Sequence, residues 1–123
     1  MSYAEKFFAA YVKCALWAET DGETDQSFID RGFTIENLSP EATDKMRQDC
    51  KRFCESSQGA ACLNASGLTP EQAGQDFWLT RNHHGAGFWD RDLAYTGEEL
   101  TRLAHDASIC TLYVGDDDMI HIA

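Results

Sequence analysis

The sequence predicts an α+β fold, with about four helices packed on a small antiparallel sheet that ends in a C-terminal β-hairpin. Three observations lead there. Apolar residues recur at helical spacing in residues 3–18 and again after two Ser/Thr-Pro starts. Residues 109–122 change to a strand-prone pattern broken by Gly115-Asp116-Asp117-Asp118. Between them, residues 76–93 hold Phe77, Trp78, Phe88 and Trp89, and each such ring buries ~150–250 Å² when it packs.

In the first helix Ala4, Phe8, Tyr11, Val12, Ala15 and Leu16 form one broad face, which Phe7 and Trp17 widen. Residues 19–30 carry Glu19, Asp21, Glu23, Asp25 and Asp30 without a single Lys or Arg, and read as an acidic loop. The alternating acids suggest the start of a calcium loop, but the glycine and closing glutamate of that motif are out of place. Phe28, Ile29, Phe33 and Ile35 then return to the core.

Ser39-Pro40 starts a second helix running to about residue 56, with Ala42, Met46, Cys50, Phe53 and Cys54 on its buried stripe. Its other faces carry Lys45, Arg47, Lys51 and Arg52. Residues 56–68 read as a small, polar connector. Thr69-Pro70-Glu71-Gln72 is a capping box that starts a third helix, delivering Phe77 and Trp78. After a turn at residues 82–87, Phe88 and Trp89 are expected to fold back over that pair and to add a strand to the hairpin. Gly87 permits a close backbone approach. Thr96-Gly97-Glu98-Glu99 reads as a further capping box, with Leu100, Leu103, Ala104 and Ala107 on the helix face and His105 beside it.

At 123 residues the chain is expected to be a single domain, residues 1–123, and long enough to bury a core without staples. No run approaches the ~20 apolar residues of a membrane span. Lys6 and Lys13 interrupt the N-terminal apolar positions, so no signal peptide is expected and the expected compartment is the cytoplasm. The odd count of cysteines, Cys14, Cys50, Cys54, Cys62 and Cys110, agrees with free thiols. Cys50 and Cys54 share a helix face; with Cys62 or His84 they would make half a metal site, and otherwise they are small core residues. Neither a metal nor another cofactor is expected.

No phosphate loop, dinucleotide glycine pattern, zinc-protease motif or nucleophile elbow is present. The net charge of −11 opposes direct binding to nucleic acid or anionic membrane and favours a basic protein partner. Two readings of function follow. One is a binding protein whose acidic surface comprises Glu19, Asp21, Glu23, Asp25, Asp30, Asp116, Asp117 and Asp118. The other is a small-molecule, nucleotide-binding or enzymatic pocket lined by Arg81, Asn82, His84, Trp89, Asp90 and Arg91, where two arginines clamp an anion and an indole stacks on a base. Self-association through the aromatic stretch is a third possibility.

The segment DFWLTRNHHGAGFWDRDL resembles a motif, roughly DFWLTRNGHGAGFWDR, of small acidic proteins encoded by many tailed bacteriophages and related mobile elements. The ending LYVGDDDMIHIA resembles that family's LYVGDDG-plus-strand ending. The likeness is specific from Thr69 onward and covers the N-terminal half only in character. His83 stands where the family usually has glycine, which leaves His84 the better candidate of the two. The resemblance implies a phage or prophage origin rather than a mechanism. With the charge, it leads to the expectation of an inhibitor or modulator of a host protein, a defence or nucleic-acid enzyme, acting as a partial DNA mimic.

Overall fold

A computed structural model describes residues 1–20 and 24–123. Asp21 and Glu23, two of the expected acidic-surface residues, lie outside the described residues, as does the centre of the calcium-like pattern. The described chain is helix-rich, with five α-helices and a two-stranded antiparallel sheet at its C-terminal end.

Helix α1 (Tyr3–Ala18) starts at Ser2, whose Oγ accepts from the Glu5 amide. Its buried face includes Phe7, Phe8, Tyr11, Val12 and Leu16. Trp17 departs from expectation, because its indole lies outside the stripe and is 66% exposed. Residues 27–33 fold back on the C-terminal end of α1, and Phe28 plugs the core there.

Helix α2 (Pro40–Glu55) starts at Ser39 with Pro40 in its first turn, and α4 (Pro70–Arg81) starts with the expected reciprocal Thr69–Gln72 cap. Between them the expected connector is instead a helix, α3 (Ser57–Ser66). Ser56 caps it, Ala60, Ala61 and Ala65 favour it, and Gly67 stops it in the left-handed conformation at φ 73°. That makes five helices rather than about four.

Helix α5 (Ala94–Asp106) starts two residues before Thr96, so the sequence-level cap lies inside it. Packing overrides the capping signal: a Cβ on Gly97 would lie 3.2 Å from Leu93 and 3.3 Å from the Phe88 carbonyl. Strands β1 (Leu112–Val114) and β2 (Ile120–Ile122) pair antiparallel, with Tyr113 opposite His121. The turn between them spans residues 115–118, with Asp118 left-handed at φ 60°. Phe88 and Trp89 form no third strand. They lie on a 3-10 turn (Phe88–Asp90), and the sheet is extended instead by a parallel bridge from Leu38 to Ile120.

Helix α4 is the axis of the molecule. Six consecutive residues, from Asp76 to Arg81, are buried, which requires cover on every side. Helix α1 crosses it so closely that a Cβ on Gly74 would lie 2.2 Å from the Phe7 carbonyl. On its other side a ladder of rings rises: Phe77 on Phe53 at 4.2 Å, and Phe53 on Phe88 at 5.7 Å between centroids. No helix among the described residues is long and apolar enough to cross a membrane.

Candidate functional site

The C-terminal end of α4 sets the geometry of residues 81–91. The His84 amide donates to the Leu79 carbonyl and the His83 amide to the Thr80 carbonyl, the paired bonds of a Schellman ending. The residue at the left-handed position of that ending is His83, at φ 59°. Glycine suits this position best, which gives a backbone reason for the glycine of the resembled motif. His83 is exposed and stacks on His105 at 4.4 Å.

Arg81 is not placed to clamp an external anion. Its side chain is 2% exposed, and its guanidinium is used inside the protein. Nη1 donates to Asp49 and to the Tyr11 hydroxyl, each at 2.9 Å. Nε donates to the Ser108 carbonyl and Nη2 to the Ala107 carbonyl, each at 2.8 Å. Asp49 also accepts from Lys45 at 2.7 Å. Arg81 therefore ties α1, α2 and the end of α5 to α4.

Asn82 is similarly engaged: its amide donates to the Trp78 carbonyl and its oxygen accepts from the Cys110 amide at 2.8 Å. Arg91 grips buried Asp76 through Nε and Nη2, the latter at 3.2 Å. Burial pushes the Asp76 carboxyl above its ordinary value, and the hydrogen bond from Arg91 pulls against that. Gly87, at φ 147°, lies against Thr80, whose Oγ1 would be 2.1 Å from an added Cβ. That hydroxyl also accepts from the Phe88 amide. The close approach expected of Gly87 is thus to the protein's own helix.

The six pocket residues are distributed accordingly. Arg81 is in the core, Asn82 is a helix cap and Arg91 is in an ion pair. Trp89 faces solvent at 57% exposure rather than folding over Trp78, and Asp90 is exposed beside it. His84 borders a separate depression of about 250 Å³, shared with Glu19, Thr20, Asn82 and Cys110. Its Nε2 lies 3.0 Å from Glu19 Oε2. A carboxylate thus orients the imidazole, but the nearby nucleophile is poor: Cys110 is buried, and burial pushes its thiol up despite Arg81.

The other thiols follow the core reading. Burial raises Cys14 and Cys54 to about 12 and Cys50 further still. Among the described residues no three His, Cys, Asp or Glu side chains are placed to share a metal, so Cys50 and Cys54 do not form one with Cys62 or His84.

Of the expected acidic surface, Asp25, Asp30, Asp116, Asp117 and Asp118 are exposed, whereas Glu19 is half-buried against His84. His121 holds the Asp117 carboxyl below its ordinary range. The fold adds an exposed stretch of which the sequence reading named only Trp89 and Asp90 as site residues. Trp89, Asp90, Asp92, Tyr95 and Glu98 are all exposed within ten residues of chain. Tyr95 lies five residues before Leu100, about 140° round the helix from the buried face, and that spacing was the available signal. Asp92 and Ala94 hold φ of 57° and 52°, so the backbone here is strained as well as exposed.

Comparison with protein-family models, with curated proteins and with solved structures finds no match.

Proposed function

We propose that this protein is a non-catalytic, phage-derived binding protein that inhibits or modulates a host protein by covering a basic surface on it with an acidic, partly DNA-mimicking face. One observation carries the reading. Residues 53–123 contain eleven carboxylates and three guanidinia, and each of those guanidinia is held by carboxylates of the same molecule. Arg81 is bound by Asp49, Arg91 by Asp76, and Arg102 by Glu99 and Asp106. The exposed acids of this half, including Asp90, Asp92, Glu98 and Asp116, have no neighbouring free cation from it to neutralise them. Exposed Trp89 and Tyr95 alternate along the chain with Asp90, Asp92 and Glu98, and Trp and Tyr are enriched at the energetic centres of interfaces.

Phage origin and a host target rest on the resemblance of residues 76–93 and the C-terminal ending. The pocket alternative is weaker, because Arg81 and Arg91 already hold carboxylates. The test is capture of a partner from host lysate across a salt series, with double-stranded DNA as competitor. Expected are affinity that falls steeply with salt, displacement by DNA, and loss of capture in the triple variant Asp90→Asn, Asp92→Asn, Glu98→Gln. A partner indifferent to salt and to that variant would falsify the reading.

A further inference from the structure

The outer face of α1 has the opposite character. An open groove of about 610 Å³ runs along it, with Ala9, Ala10, Trp17 and Ile29 as its apolar surface and Lys6 and Lys13 along it. Trp17 is the most exposed tryptophan of the chain, and Ile29 is exposed beside it. Lys6, Ala10, Lys13 and Trp17 follow i, i+4, i+7, i+11 spacing, a single stripe about 16 Å long. The two alanines permit the close approach of another backbone.

The charges identify the occupant. Among the described residues no ion pair holds Lys6 or Lys13, in a chain of net charge −11. Glu71, at the α4 edge, is the one carboxylate lining the groove among the described residues and is paired to neither lysine. A second copy packed by two-fold symmetry about Ala9 and Ala10 would set Lys6 opposite the other copy's Lys13, and like charges so placed repel. An occupant bearing acids meets no such penalty.

We propose that this groove docks an acidic amphipathic helix of a partner protein. The helix would lay apolar residues on Ala9, Ala10 and Trp17, and would meet Lys6 and Lys13 with two carboxylates spaced about 10 Å apart, or seven residues along its own axis. This site is separate from the acidic face and of opposite sign, so it stands or falls independently of the function proposed above.

Calorimetry with two synthetic amphipathic peptides tests it. Both carry a Leu/Ala stripe; one has glutamates seven residues apart and the other has lysines there. The glutamate peptide should bind at least about tenfold tighter at this face, a difference of ~1.4 kcal/mol. Trp17→Ala should weaken it, and Lys6→Glu with Lys13→Glu should invert the preference. Lysine-peptide binding that survives Trp17→Ala belongs to the acidic face and is subtracted. Both lysines are exposed and have no ion-pair partner among the described residues, so the double variant keeps its fold, which circular dichroism checks. Equal binding of the two peptides, or an unchanged preference in the double variant, would overturn the proposal. So would self-association of the free protein that Trp17→Ala abolishes, since the face would then belong to a second copy.

Discussion

The chain contains Phe-Trp twice, and the fold treats the two copies differently. Phe77 and Trp78 are both fully buried, whereas Phe88 is buried and Trp89 is 57% exposed. The first pair lies on a helix covered on all sides, so neither ring has a way out. The second lies on a single 3-10 turn, where consecutive side chains diverge by about 120°. One ring can reach the core from there, and its neighbour cannot. Composition therefore does not decide burial; the number of covered faces does.

The comparison is tested most severely by removing the buried indole. Trp78→Ala should cost about 3–5 kcal/mol in urea unfolding, through lost burial and a large cavity. Trp78→Phe should cost less than its lost volume implies, because the buried Trp78 Nε1–H has no acceptor among the described residues. Arg81→Ala should cost a similar 3–5 kcal/mol by leaving Asp49 buried and less well compensated. Arg81→Met with Asp49→Leu should recover much of that loss; if it does not, the bonds to the Ala107 and Ser108 carbonyls dominate.

Asp76 gives a pH test with a definite sign. Burial raises its carboxyl above the ordinary 3.8, so the folded chain holds this proton more tightly than the unfolded chain. That contribution to stability is fully present below 3.8 and is lost as pH rises through the raised folded value. The stability of wild type minus that of Asp76→Asn should therefore fall over that rise and level off above it, since Asn does not titrate. A difference that grows with pH would mean that Arg91, not burial, controls the group.

The smaller effects mark the exposed side. His83→Gly should raise stability by about 0.5–1 kcal/mol by relieving the left-handed backbone of a residue with a Cβ. Trp89→Ala should change stability by no more than about 0.5 kcal/mol while weakening capture of the partner. A large stability loss there would erase the contrast between the two pairs.

Much of the fold was legible in the sequence. The Ser39-Pro40 and Thr69-Pro70 starts mark α2 and α4 because local capping agrees with the packing. The C-terminal turn was legible for the same reason. Helix α3 was hidden because its sequence, SQGAACLNAS, carries almost no amphipathic pattern and buries mainly Leu63 and Gly59. The start of α5 was misplaced because Gly97 must pack on Leu93 and Phe88, a tertiary demand with no local mark.

The candidate site was less legible, since polar residue types do not reveal whether they face water. One clue was present: Asp49 stands among Ala42, Met46, Cys50 and Phe53 on a single stripe. An acid in that position implies a buried cation, and Arg81 is that cation. The two arginines chosen as an anion clamp were each already committed to an aspartate of the same chain.

Arg81 also bears on the order in which the molecule assembles. Its partners lie 26 to 70 residues away along the chain. Closing loops of that size costs entropy before any bond is gained, and a guanidinium stripped of water with only some partners in place is penalised. Half-built states are thus disfavoured, and folding should be a single concerted event. A fragment ending before α4 would leave Asp49 without Arg81, and would have little reason to hold a structure of its own.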